Sequence, residues 1–222
     1  MKIALVIDFD GTVTEKDAGV FLLNTFAIED WHEYERRYLR GEINLRECLA
    51  GEYTTLPADE VNLVNQVLLN IDIREGFIPF VRYCEEQDWP IAIVSGGLDF
   101  YIRAILNRQG LSRLSVVSGH ADFPKGKGST VYATWQDGPG SCEKAGTCKC
   151  YYINKMIDEG YQVVFIGDGI TDTCAADKAH YLFARQQLEA YCQTNEIPFS
   201  HFDDFNDVKR ELAMIFYNNR DV

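Results

Sequence analysis

The chain has 222 residues, 46% of them apolar and 25% charged. That balance is ordinary for a soluble globular protein and excludes a disordered tail, a collagen-like repeat and a coiled coil. Its 21 basic against 34 acidic residues give a net charge of −13, a field that repels phosphate backbones and anionic membranes but suits carboxylates gathered around a cation.

At roughly 150 residues per domain, this is one compact domain with an insertion or two modest domains. Such a chain buries about 70% of its unfolded surface and needs no disulfide or structural metal to fold. The seven cysteines, an odd number scattered from Cys48 to Cys192, read as reduced thiols in the cytoplasm. No run approaches the ~20 apolar residues of a membrane span. The short apolar start stops at Asp8 and is not a signal peptide. No nucleic acid and no membrane is expected as a partner, and the protein is read as a monomer or homodimer.

Residues 2–7 form an apolar run that ends abruptly in Asp8, the pattern of a strand buried on both faces. Residues 15–74 hold Trp31, Tyr34, Tyr38, Leu39 and the stretch 61–69 at helical spacing, with no convincing strand. They read as an inserted helical cap whose core includes Trp31, Tyr34 and Tyr38. A helix over 77–87 leads to a strand over 91–94 that ends in Ser95-Gly96-Gly97, and a helix over 98–108 leads to a weaker strand over 114–117. Residues 118–148 read as an irregular insertion rich in Gly, Ser, Lys and Cys. A helix over 150–159 precedes a strand over 163–166, which ends in Gly167-Asp168-Gly169. A weaker strand over 181–184 and a helix over 205–217 complete the chain. This alternation predicts an α/β fold with a doubly wound, mainly parallel sheet. The catalytic core would span 1–14 and 75–222, with the cap at 15–74. Ligands of such sheets collect at the carboxyl ends of the strands.

Asp8-Phe9-Asp10-Gly11-Thr12-Val13-Thr14 follows the first strand. Residues two apart on extended chain face the same side, so both carboxylates can reach one site, where they need a cation or a shared proton. A plain turn would use the same residue types. The Ser95 hydroxyl and the Gly96 amide can bind phosphate oxygens. Lys149 starts the helix leading into the strand that delivers Gly167-Asp168-Gly169-Ile170-Thr171-Asp172. Two acid pairs, a hydroxyl and a lysine, each at a strand end or helix start, make a phosphoryl-transfer site.

In the order Asp-x-Asp-x-Thr, Ser-Gly, Lys and Gly-Asp-x-x-x-Asp, the whole chain resembles the haloacid dehalogenase superfamily. More narrowly it resembles the phosphoserine-phosphatase-like branch, which carries a helical cap after the first motif. Arg74-Glu75-Gly76-Phe77, Ser95-Gly96-Gly97-Leu98-Asp99-Phe100 and Cys148-Lys149 are similar to strings of a methionine-salvage subgroup. The resemblance implies a Rossmannoid core and a Mg²⁺-dependent phosphatase of a small metabolite, working through an aspartyl phosphate. It implies Asp8 as nucleophile and Asp10 as acid, then base. Mg²⁺ would be held by the Asp8 carboxylate, the Asp10 carbonyl and Asp168, with Asp172 in the metal group or orienting its waters or Lys149. Thr12, Ser95, Gly96, Gly97 and Lys149 would contact phosphate and substrate, Lys149 also screening the nucleophile's charge.

The chemistry is consistent with these roles. Mg²⁺ and Lys149 supply positive charge that lets a carboxylate attack a phosphate dianion, and oxygen ligands suit Mg²⁺. Asp10 should show a raised pKa to hold its proton near neutrality, and its presence argues against dehalogenation, where no leaving oxygen needs a proton. Within this chemistry phosphoserine, phosphocholine and phosphoethanolamine are rival substrates, and phosphate passing to a second hydroxyl would make the protein a phosphomutase. A signalling receiver, or a non-catalytic binding protein that kept the fold, stands outside it. Other features have less defined roles. Cys142, Cys148 and Cys150, with His120, could hold zinc or be simply buried thiols. Asp17, Arg46 and Arg74 could read the substrate beyond its phosphate or be solvated charges. Lys125 and Lys127 read as solvent-exposed loop residues, rival phosphate contacts only if Lys149 does not serve.

Overall fold

The computed structural model describes residues 2–136 and 146–217. In the first strand, β1 (Ile3–Ile7), Ile3, Leu5 and Ile7 enter one apolar cluster and Val6 a second. A strand covered on both faces belongs at the centre of a wound sheet. β1 lies between β2 (Ile91–Leu98) and β5 (Gln162–Gly167), pairing parallel with both. Beyond β2 come β3 (Ser115–Asp122), parallel, and β4 (Tyr132–Thr134), antiparallel; beyond β5 come β6 (Tyr181–Ala184) and β7 (Ser200–His201), both parallel. The strand order therefore reverses at β1, whose carboxyl end is a topological switch point and hence a ligand crevice.

Five helices separate β1 from β2, the first four being α1 (Ala18–Phe26), α2 (His32–Leu39), α3 (Leu45–Tyr53) and α4 (Glu60–Asn70). They are followed by α5 (Phe77–Glu86), α6 (Asp99–Arg108), α7 (Lys149–Asp158), α8 (Gln186–Thr194) and α9 (Phe205–Tyr217). One sheet face packs on Phe77 and Phe80 of α5, Ile102 and Ile105 of α6 and Phe205 of α9. The other packs on Ile153 of α7 and on Leu188 and Cys192 of α8. The first cluster continues into the inserted helices through Leu22, Leu23, Tyr53, Leu63 and Val67. α1 is capped by Asp17, which accepts a hydrogen bond from Val20 N at 2.7 Å, and α3 by the Asn44–Glu47 capping box.

Several sequence expectations change. β2 continues through Ser95 to Leu98, with its register against β3 shifting between Val94 and Leu98. Such an irregularity re-aims side chains beside active sites. The insertion read at 118–148 holds the end of β3 and all of β4. Short edge strands such as β4 and β7 leave too few residues to display an alternation. α8 was unread because Leu188 and Cys192 are its only fully covered side chains. Among the cap aromatics Trp31 is buried and Tyr34 half-buried, whereas Tyr38 is exposed and lies outside the core. Gly51 lets α3 approach Tyr34, since a Cβ there would sit 2.1 Å from the ring.

Candidate active site

Asp8 leaves the end of β1 with its amide bonded to Ile166 O of β5 at 2.9 Å. The chain then turns tightly through Phe9–Val13, with Gly11 at φ +81°. A Cβ on Gly11 would lie 2.4 Å from Asp168 Oδ2, so both backbone conformation and close approach demand glycine. Arg74 fastens the turn from beneath. Its guanidinium, buried, donates to Thr12 O at 2.8 Å, Gly11 O at 2.7 Å and Thr14 O at 3.1 Å. A planar fork of donors suits several carbonyls at once. Arg74 is thus a buried clamp on the motif backbone that does not line the cavity, which fits neither of its two readings, a substrate contact or a solvated charge.

Lys149, the first residue of α7, is 2% exposed and donates to Asp8 Oδ1 at 2.6 Å and to Asp172 Oδ1. Burial disfavours its charge, but Asp172 and Asp8 outweigh that and hold the ammonium above the usual lysine range. The other Asp172 oxygen accepts from the amides of Asp168 and Gly169, both at 3.0 Å. Asp172 therefore braces Lys149 against the backbone of Asp168 and Gly169. Asp168 accepts from Thr12 Oγ1 at 2.6 Å. Thr12, fully buried, faces Asp168 instead of the cavity, which differs from its expected role as a substrate contact. Ligand oxygens of Asp8, Asp168 and Asp172 lie within 4.8 Å of one another. Burial pushes the Asp168 carboxyl up to about 6, and burial together with Asp172 and Asp168 pushes Asp8 up despite Lys149. Three buried acids face one ammonium, and this acidic cluster can hold a divalent cation.

Asp10 points the other way. Its Oδ1 accepts from Ala18 N at 2.9 Å, and its Oδ2 from Tyr101 Oη at 2.8 Å and Ser95 Oγ at 3.4 Å. Burial, with Asp17 adding repulsion, raises its pKa to about 7, in the direction expected for a proton-holding acid. Ser95 is buried at the β2 irregularity and accepts from Gly97 N at 3.0 Å. Gly96 lines the cavity and its carbonyl is held by Trp135 Nε1 at 3.0 Å.

These groups surround a cavity of about 510 Å³. Asp8, Asp10, Ser95, Gly96, Gly97, Lys149 and Asp168 line it, and from the inserted helices so do Leu23, Leu49, Glu52 and Tyr53. Of the three candidates for substrate contact, Asp17 lines the cavity and Arg46 and Arg74 do not. Tyr101, Glu52 and Tyr53 were missed. Tyr101 alone had a local signal, lying in the first turn of the helix that follows the Ser95 strand. Cys142 lies outside the described residues. Cys150 Sγ donates to Cys174 O at 2.7 Å and His120 pairs with Asp99 at 2.7 Å, so among the described residues these side chains do not assemble the zinc group that was one of their two readings; the group there that could hold a metal is the acidic cluster. Lys125 and Lys127 are exposed, as read.

A family model described as haloacid dehalogenase-like hydrolase matches residues 5–177. The chain belongs to that family. Within it, a 2-hydroxy-3-keto-5-methylthiopentenyl-1-phosphate phosphatase of Brevibacillus brevis is 31% identical over 220 residues, 96% of each chain. The protein of that name from Bacillus cereus strain AH820 is 32% identical over 221 residues, again 96% of each. Among solved structures, a probable phosphoserine phosphatase from Vibrio cholerae superposes with TM-score 0.74 at 17% identity, over 100% of this chain and 67% of that one. A phospho-aspartyl intermediate analogue of phosphoserine phosphatase superposes with TM-score 0.65 at 17% identity, over 95% and 99%. At such identities the structures share the haloacid dehalogenase-like fold. No helix among the described residues is long and apolar enough to cross a membrane.

Proposed function

We propose that the chain is a phosphoric monoester hydrolase acting through an aspartyl phosphate on Asp8, with 2-hydroxy-3-keto-5-methylthiopentenyl-1-phosphate as its substrate. The observation that carries the reaction is the buried Lys149 ammonium 2.6 Å from Asp8 Oδ1 at a cavity wall that also holds Asp10 and Ser95. The named substrate is supported by the relatives that match 96% of the chain.

Asp8 forms a bond to phosphorus as the ester P–O bond breaks. Asp10 passes its proton to the leaving oxygen, then takes one from the water that attacks the aspartyl phosphate. Inorganic phosphate leaves and both carboxyl groups are restored. A pKa raised to about 7 lets Asp10 serve in both directions near neutrality. Lys149, the Ser95 hydroxyl and the Gly96 amide bind phosphoryl oxygens, while Asp172 and Arg74 keep Lys149 and the motif turn in place. The excess of buried acid over base fits Mg²⁺, which the Asp8 and Asp168 carboxylates with the Asp10 carbonyl would hold. When bound, it supplies positive charge to the phosphoryl oxygens. Residues 15–74 act as a cap, α1 and α3 closing the cavity against bulk water and large substrates.

The test is Asp8→Asn. The variant should fold as the parent does, yet release phosphate slower by several orders of magnitude with Mg²⁺ present. Retained turnover overturns the mechanism, and a substrate array in which other monophosphates outperform the methylthio ester overturns the substrate.

A further inference from the structure

Away from Lys149 the cavity wall is acidic and phenolic. Its lining holds six carboxylates (Asp8, Asp10, Glu15, Asp17, Glu52 and Asp168) against the ammonium groups of Lys16 and Lys149. Lys149 is committed to Asp8 and Asp172, and Lys16 is exposed between Glu15 and Asp17 in the chain. Three of the wall's polar atoms converge above Gly19. A Cβ there would meet Tyr53 Oη at 2.5 Å, Asp17 Oδ1 at 3.3 Å and Tyr101 Oη at 3.4 Å. Glu52 stands in the same wall, 6% exposed, and its carboxylate accepts one hydrogen bond among the described residues, from Cys48 Sγ at 3.1 Å. A thiol is a weak donor, and a buried carboxylate with so little support is costly. Burial raises the Glu52 pKa to about 7.

We propose that this wall selects phosphate esters whose organic part bears no carboxylate and offers a hydroxyl or ammonium donor, with Glu52 as the residue that sets the selection. The inference rests on the phosphomonoesterase reading above and concerns the end of the substrate that the reaction leaves unchanged. A ligand carboxylate here meets Glu52 and Asp17, while the lining ammonium not held by buried acids, Lys16, is exposed and stands between Glu15 and Asp17 in the chain. A ligand hydroxyl or ammonium meets two carboxylates and two phenols, and Leu23 and Leu49 accept an apolar remainder.

Two matched pairs test it: glycerol 3-phosphate against 3-phosphoglycerate, and phosphoethanolamine against phosphoserine. Within each pair the second member has a carboxylate that the first lacks. Phosphate release by the wild-type protein with Mg²⁺ should give kcat/KM at least about tenfold lower for the carboxylate member of each pair, since like charges brought together in an interface discriminate strongly. Glu52→Gln should narrow both ratios. Ratios near one, or a preference for the carboxylate member, overturn the selection, and wild-type ratios do so without any variant having to fold. Unchanged ratios in Glu52→Gln overturn the role of that residue. Phosphate release from no ester at all refutes the phosphatase reading itself, a result separate from release without discrimination.

Discussion

Replacing Lys149 by methionine keeps the length of the stem and deletes the charge. In the folded chain that charge sits 2% exposed between Asp8, 2.6 Å away, and Asp172. Lys149→Met therefore strands two buried carboxylates, and removing one partner of a buried pair costs about 3–5 kcal/mol. Asp172→Asn leaves Lys149 paired with Asp8 and keeps an oxygen for the amides of Asp168 and Gly169, so it costs less, about 1–3 kcal/mol. In the double variant one stranded charge is gone, and the loss should fall short of the sum by at least about 1 kcal/mol. The Lys149 pKa is raised on folding. Its contribution is thus fully present below the unfolded lysine value of about 10.4 and is lost only as pH rises through the higher folded value. The Lys149→Met deficit should accordingly be constant from pH 7 to about 9. Urea unfolding followed by circular dichroism, with a chelator present, measures all three variants. A Lys149→Met protein within about 0.5 kcal/mol of the parent, or strict additivity in the double variant, refutes the buried network.

Four further outcomes follow from the site. Asp10, raised to about 7, must be protonated to serve the leaving oxygen, so kcat should fall as pH rises through about 7; a profile flat into the alkaline range refutes that role. The hydrogen bond from Tyr101 lowers the Asp10 pKa, so Tyr101→Phe should move this limb to higher pH and reduce kcat/KM roughly fivefold, the worth of one hydrogen bond; an unmoved limb denies the coupling. Gly11→Ala, with φ +81° and a Cβ 2.4 Å from Asp168 Oδ2, should lose more than about 1 kcal/mol in thermal or urea unfolding, whereas Gly96→Ala meets nothing within 4 Å and should unfold like the parent. Chelation should abolish phosphate release and added Mg²⁺ restore it; full activity in chelator contradicts the cation site.

Asp8 and Asp168 were legible because each ends an apolar run. A buried strand excludes charge along its length, so an acid marks where it emerges. Asp10 and Lys149 followed from their spacing to these ends. Ser95 was found as a strand end, yet β2 runs past it to Leu98, since backbone pairing with β3 resumes after an irregularity that side-chain pattern does not display. Thr12, Arg74 and Asp172 belong to the right neighbourhood but have partners no local string reveals. Thr12 meets Asp168 across 156 residues, and Arg74 reaches the Gly11 carbonyl across 63.

By itself, then, the amino-acid order determined the wound sheet, the inserted helices and the acids and lysine at the strand ends, because burial periodicity and strand termination act over a few residues. The tertiary structure alone decided which oxygens Lys149 neutralises, that Tyr101 reaches Asp10 across 91 residues, and that Glu52 and Tyr53 of α3 form the far wall of the cavity. Those contacts arise when the helices pack against the sheet, and hydrogen bonds and charge pairs depend on distance in space, which separation along the chain leaves open.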